Sequence, residues 1–302
     1  MTLPNFPTFK KIELHDKQIF DDYTKSYPLY SDFNFVSLWS WNIDEEIKFT
    51  FLNNNLVVEL TDYIDNTPVL TFLGNNKVID TSEALLQYTE QKHSKKHLNL
   101  LPEVNFTNVD KDFLDSYNLK EDTSNFDYIL DVNYIAAMAG QKLKHKRKLL
   151  NRFIRNHGSK AIIKYMNIQE VKLHLLDFYH HWSKNKQQKD LNSNEFHAIK
   201  RLLHHYNFFN TTVMSVHIEE RMIGFTLFEE ISGDWALSSF QKGDISFEGI
   251  YEFLNYNLAL HLSNKKIKYV NIEQDLGIEG LRRAKMDYNP TFLKKFTLSK
   301  IS

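Results

Sequence analysis

The chain has 302 residues, a formal net charge of −1 and no cysteine. Disulfides, thiolate metal sites and a cysteine nucleophile are therefore excluded, and no global field favours nucleic acid or an acidic membrane. The length suits one large or two ordinary domains, and the 42% of apolar residues can fill their cores.

MTLPNFPTFKK at the N-terminus has no apolar h-region, and no run reaches the eighteen or so apolar residues of a spanning helix. A soluble, cytoplasmic chain is expected. Short apolar, β-branched and aromatic runs predict strands at 47–52, 56–60, 68–73 and 128–132, the first two joined by a turn at Asn53-Asn54-Asn55. SEALLQYTEQKH predicts a helix with Ser82 as N-cap, followed by a short strand (HLNLL) and a helix (VDKDFLDSYN). Two further helices are expected in IQEVKLHLLDFYHHW and NEFHAIKRLLHHY. A hairpin over HIEERMIGF then leads to a strand (WALSSF), a helix (GIYEFLNYNLALHL), a strand (KYVNIE), a helix at about 278–287 and a last strand at 292–299.

The two halves repeat one order: hairpin, strand, helix, strand, helix, strand. The expected fold is α/β with mixed sheets, a tandem duplication over residues 1–135 and 136–302. This order is similar to the GNAT acyltransferase fold, in which two adjacent parallel strands splay apart around the acyl donor. WALSSF and KYVNIE are the corresponding strands, and Glu273, Gln274 and Asp275 fall at the carboxyl end where ligands favour binding. The usual glycine-rich phosphate loop is not matched: QKGDISFEGIYEF offers Gly243 and Gly249 beside Asp244 and Glu248. Ordinary acetyl-CoA use is not expected from it.

Residues 271–290, NIEQDLGIEGLRRAKMDYNP, concentrate polar groups at that strand end. Glu273 or Asp275 could act as general base, and Tyr288 could return a proton to a leaving group. Arg282 and Lys285, three apart, share a helix side and could grip a phosphate or carboxylate, with Leu281 and Ala284 facing inward. The plainer alternative has Asp275 capping the helix, Arg282 pairing with an acid and Tyr288 packing. Upstream, residues 142–157 hold seven lysines and arginines and no acid. Lys144, Lys148, Arg152 and Arg155 form a stripe flanked by Lys142, Lys146 and Arg147, suited to phosphates of a transfer RNA, a nucleotide or a lipid head group. A solvated helix face paired with acids elsewhere is the alternative. His180, His181, His197, His204 and His205 show no metal-ligand spacing, so no metal is expected.

SDFNFVSLWSW (31–41), FDYIL followed by GQKLKHKRKLLNRF (140–153), and residues 271–290 resemble the bacterial family of the C-terminal catalytic domain of phosphatidylglycerol lysyltransferase. Asn271, Glu273, Asp275, Gly277, Leu281, Arg282, Lys285, Tyr288 and Pro290 match its C-terminal signature. Gly140, Lys142, Lys146, Arg147, Asn151 and Phe153 match its central block. The chain departs from the pattern at Gln241-Lys242-Gly243, where Glu-Lys-Ala is common, and at Ile272, where arginine is common. The resemblance implies a double GNAT-like fold and acyl or aminoacyl transfer, by analogy with lysyltransferases and Fem-type peptidyltransferases. It places Lys242 and Asn271 with Arg282 and Lys285 among substrate- or anion-binding residues. No bound cofactor is expected. Aminoacyl-tRNA or acyl-CoA would serve as donor substrate, and an amine or hydroxyl as acceptor. Two other classes remain: a non-catalytic module binding nucleotide, RNA or another anion, and an acetyl-CoA-dependent N-acetyltransferase of small amines.

Overall fold

The computed structural model describes all residues except 1–2, 63–66, 111–114, 168–169, 173, 179–189, 232 and 302, and only the backbone of 190–193. Contacts divide the chain into two compact units, Met1–Asp127 with Phe292–Ser302, and Tyr128–Thr291. This division differs from the expected one at 135/136. The last strand of the sequence belongs to the first unit, so that unit is discontinuous.

In the first unit, β1 (Lys10–Lys11), β2 (Lys48–Leu52), β3 (Asn55–Thr61) and β4 (Pro68–Leu73) form an antiparallel sheet in that order. Asn53 and Asn54 take left-handed φ values of 52° and 62° in the β2–β3 turn, a conformation asparagine tolerates. Asn55 is buried, and its amide donates to Asn76 O and Thr81 Oγ1. A second sheet holds β5 (His97–Pro102), β14 (Lys295–Lys300) and β6 (Tyr117–Glu121), with β14 central. β6 begins within the stretch expected to be helical, whose residues 111–114 lie outside the description. The helix α3 (Val78–His93) starts earlier than expected, with Lys77 as its N-cap residue, and Ser82 is buried inside it. Val57, Phe72, Leu85, Leu98 and Leu298 join in the core that covers the two sheets.

A buried charge cluster anchors β14. Lys295, fully buried, donates from Nζ to Asp127 Oδ1 (2.9 Å) and makes a close ion pair with Asp32. Asp127 also accepts from Ser31 N (2.8 Å) and Ser31 Oγ (2.7 Å).

In the second unit, the strands run β7 (Asp127–Asp131), β12 (Tyr269–Asn271), β11 (Trp235–Gly243), β10 (Arg221–Glu230), β9 (Thr211–Ile218) and β8 (Ala161–Asn167) side by side. β8 was not foreseen; its residues alternate between exposed and half-buried as an edge strand requires, without a long apolar run. The helices α4 (Val132–Ala137), α5 (Lys144–His157) and α7 (Ile250–Asn264) cover one face. Their Ile135, Leu150, Phe153, Leu254 and Leu258 pack on Met214, Val216 and Phe228 of the sheet. The helix α6 (Asp190–His204) and segment 170–178 contribute Ala198, Ile199, Leu202, Val171 and Leu175, all buried. His180 and His181 lie outside the described residues. His197 and His204 sit on α6 and His205 follows it.

Gly249 fixes the start of α7. Its φ is +89°, and a Cβ there would lie 2.3 Å from Leu149 O and 3.1 Å from the Phe153 side chain of α5. Glycine is therefore required by both backbone and packing. Gly249→Ala is expected to destabilise the protein by about 2 kcal/mol or more, measured by urea denaturation. Among the described residues no helix is long and apolar enough to cross a membrane.

Candidate active site

The parallel pair β11–β12 opens where the sequence placed the site. Registered neighbours are Trp235–Tyr269, Ala236–Val270 and Leu237–Asn271, after which β12 ends while β11 continues to Gly243. The sequence causes this locally. The buried Asn271 turns its Oδ1 onto the Glu273 amide N–H (2.7 Å), an Asx-type bond that replaces a strand partner. Glu273 then adopts φ +58°, followed by Leu276 at +53° and Gly277 at +74°. Lys285 holds the turn. Its ammonium donates to the carbonyls of Ile272 (2.6 Å), Glu273 (3.1 Å) and Gln274 (2.6 Å), and lies 5.6 Å from the Tyr128 ring centroid. Tyr128 N in turn donates to Glu273 O (3.2 Å). The side chain of Glu273 is half-buried at this opening.

Asp275 is the organising carboxylate. It is completely buried and accepts four hydrogen bonds: Tyr128 OH (2.5 Å) and Arg282 Nε (2.9 Å) on Oδ2, Gly277 N (2.7 Å) and Arg282 Nη2 (3.0 Å) on Oδ1. Burial opposes its ionisation. The bonds from Arg282, Tyr128 and the Gly277 amide outweigh burial and hold the carboxyl below its ordinary range. Burial first, then the carboxylate, push the Tyr128 phenol up to about 12. An acid held this firmly ionised, with every lone-pair direction in use, is a poor proton acceptor. Its geometry is that of the plainer sequence reading, with Arg282 as its partner.

The last helix, α8 (Glu279–Met286), presents Arg282 and Lys285 inward. Leu281 and Ala284, expected inward, are exposed instead. The reason is that the strand-end carbonyls and Asp275 lie beneath the helix, and cations satisfy them better than methyl groups. Arg282 and Lys285 are thus engaged within the protein. Tyr288 is 4% exposed and its hydroxyl accepts from Asn255 Nδ2 (3.0 Å). Burial holds its phenol far above the ordinary tyrosine range and keeps it protonated.

The basic block divides into an inner and an outer set. Lys146 is buried: its Nζ is 3.2 Å from Glu252 Oε1, 3.8 Å from Asp287 Oδ2 and 4.5 Å from the Tyr288 ring centroid. Arg147 donates to the carbonyls of Met138 (2.8 Å) and Gly140 (3.0 Å). Lys142 donates to Asn289 Oδ1 (2.8 Å). Arg152 makes a close ion pair with Glu248, and Lys242 pairs with Glu195 (2.7 Å). Asp244 pairs with Arg221, so both loop acids have cationic partners. Lys144, Lys148 and Arg155 project from the exposed face of α5. This face lines a groove of about 820 Å³, walled by Lys142, Lys144, Arg147, Lys148, Arg152 and Arg155; among the described residues no carboxylate lines it, though Glu248 pairs with Arg152 beside it. Lys146 and Lys242 do not line it.

Sequence reasoning missed an interior polar chain. Asn255 links Tyr288 to Gln241, whose Nε2 donates to Asn255 Oδ1 (3.1 Å) and Thr226 Oγ1 (3.0 Å). With Glu252 it brings polar groups under the splayed strands. The available signal was the pair Glu252 and Asn255 inside the otherwise apolar GIYEFLNYNLALHL.

A sheet that opens between two parallel strands, as it does between β11 and β12, is the mark of the GNAT-like fold. A GNAT-family acetyltransferase from Colwellia psychrerythraea shares this fold over 98% of this chain and 100% of its own, with a TM-score of 0.51 at 11% identity. More particularly, the chain belongs to the family of the phosphatidylglycerol lysyltransferase C-terminal domain, whose family model matches residues 82–299. The structure of L-PGS from Bacillus licheniformis is similar over 99% of this chain and 94% of its own (TM-score 0.60, 14% identity). A conserved protein of unknown function from Bacteroides thetaiotaomicron is similar over 99% and 100% (TM-score 0.84, 25% identity). The uncharacterized protein MYCGA3080 of Mycoplasmoides gallisepticum is 27% identical over 188 residues, spanning 61% of this chain and 58% of its own length. Family and fold together point to the GNAT-like acyl- and aminoacyl-transferase class.

Proposed function

We propose that this protein transfers an activated acyl or aminoacyl group from a phosphate-bearing donor to an amine or hydroxyl acceptor. The observation that carries this is the groove along α5, walled by six lysines and arginines, in the same unit as the splayed β11–β12 pair. Lys144, Lys148 and Arg155 bind the donor's phosphates there, and its acyl end enters the opening beside Glu273. Glu273 takes the acceptor's proton. The acceptor nitrogen or oxygen bonds to the acyl carbon as the donor's C–O or C–S bond breaks, and the departing atom takes a proton from solvent. Asp275, Arg282, Lys285 and Asn271 hold the Glu273 turn in shape without touching the reacting atoms. Aminoacyl-tRNA and acyl-CoA are the two donors to assay.

The test is transfer from charged tRNA and from acyl-CoA by wild type and two variants. The double variant Lys144→Glu/Lys148→Glu is expected to raise the donor KM by about 100-fold, because two phosphate contacts become two repulsions. Glu273→Gln is expected to lower kcat about 100-fold with little change in KM. If a detected transfer survives both changes, the assignment fails. The non-catalytic reading draws support from one observation: Asp275, Arg282, Lys285 and Tyr288 are all satisfied within the protein. Salt-dependent RNA binding that needs Lys144 and Lys148 but not Glu273, with no transfer from either donor, favours it.

A further inference from the structure

The geometry points to a second ligand site in the same unit, a pocket that takes a single uncharged nucleoside through stacking on Tyr165. This pocket, of about 310 Å³, lies between the end of β8, the start of β9 and the last turn of α7. Thr211 pairs with Glu229 and Ala236 pairs with Glu230, whereas the splayed end of β11 pairs with Gly224 and Phe225. The pocket is therefore at the opposite end of the sheet from the β11–β12 opening.

Three features select the ligand. The first is a ring platform. Tyr165 and His261 stack with centroids 4.3 Å apart and 18° between planes, and Phe228 braces His261 edge-on (5.5 Å, 74°). Tyr165 is 42% exposed, so its ring still offers area to a flat ligand. Every nucleobase has a π-face that fits such a platform. The second is an unmet polar group. Thr211, one of the pocket's lining residues, is 7% exposed, and its fully buried Oγ1 has no hydrogen-bond partner among the described residues. A χ1 rotation that turns this hydroxyl to the pocket would let a ring-edge N–H or carbonyl satisfy it, and Asn210 and Thr212 line the same pocket. The third is charge. Lys265 Nζ lies 2.5 Å and His261 Nε2 lies 3.3 Å from one oxygen, Oε1 of Glu230. Both groups also sit at the C-terminal end of α7, where the helix carries partial negative charge. The Lys265 ammonium is already paired with the Glu230 carboxylate, so a phosphate gains little there. The volume sits at the lower end of small-ligand pockets, which suits one nucleoside and excludes a chain.

Calorimetric titration with adenosine, guanosine, cytidine and uridine tests this. At least one is expected to saturate with a Kd below about 1 mM. Tyr165→Leu is expected to weaken it about tenfold or more, and Tyr165→Phe less than about twofold, since the ring carries the contact. Thr211→Val, which keeps the side-chain shape, is expected to weaken it about fivefold. It serves as the deciding variant if Tyr165→Leu fails to fold. The matching 5′-monophosphate is expected to bind no more tightly than the nucleoside. Lys144→Glu/Lys148→Glu is expected to leave nucleoside binding unchanged, so this result stands apart from the transfer reaction. The inference is overturned if no nucleoside saturates by about 5 mM, if binding ignores both Tyr165→Leu and Thr211→Val, or if the monophosphate binds about tenfold more tightly.

Discussion

Lys295→Met is expected to destabilise the protein by about 3–5 kcal/mol, the largest stability loss of any single substitution considered. The methionine fills much the same space, so packing is nearly preserved. What is lost is the one ammonium between two buried carboxylates, Asp32 and Asp127. Both acids lie in the first unit with 4% or less exposure, and neither can recover hydration. Burial pulls the Lys295 ammonium toward neutrality, but Asp127 and Asp32 overcome this and hold its pKa raised. The ammonium is thus kept charged through the ordinary lysine range. Urea denaturation measures the loss. Lys295→Met/Asp32→Asn/Asp127→Asn is expected to regain a substantial part of it, because no unpaired charge is then buried. If Lys295→Met unfolds at the wild-type midpoint, the cluster contributes nothing.

Asp275→Asn is expected to abolish most transfer activity without removing a proton-transferring group. The amide keeps one acceptor oxygen but turns its NH2 toward Tyr128 OH or the Arg282 guanidinium, so two buried donors face a third. The stability cost is about 2–4 kcal/mol. The sign of the pH dependence follows from the lowered folded pKa. Asp275 stabilises the fold above its unfolded value and loses that contribution as pH falls through the ordinary carboxylate range. The gap between wild type and Asp275→Asn should therefore narrow below about pH 4, because the wild type alone loses stability there. Positioning and base catalysis are separated by the residual rate. A positioning Asp275 leaves the pH profile of the remaining activity unchanged in shape. An acid limb that vanishes in Asp275→Asn and persists in Glu273→Gln would make Asp275 the base and overturn the role given to it here.

Local patterns in the sequence carried most of the strand and helix order. The apolar, β-branched and aromatic runs in KFTFL, LVVEL and IGFTLFEE and the cations of α5 each act through nearest neighbours, and each reads directly from the local sequence. The polar concentration at 271–290 was legible for the same reason, as was its position after a strand. Which of its groups face solvent was not legible. Helical spacing places Arg282 and Lys285 on one side, and only the carbonyls of 272–274 and the carboxylate of Asp275 beneath α8 make that side the inner one. The same holds for α5, where seven cations look equivalent in sequence. Glu252 and Asp287, 106 and 141 positions downstream of Lys146, draw that lysine inside and leave Lys144 and Lys148 outside. Lys295 likewise reads as one more charge in a terminal strand. Its two partners precede it by 263 and 168 positions, and burial among them is a property of the folded chain alone. Periodicity reports which side of an element a residue occupies. Charge placement is decided by desolvation and pairing across long sequence separations, and these exist only once the tertiary structure has formed.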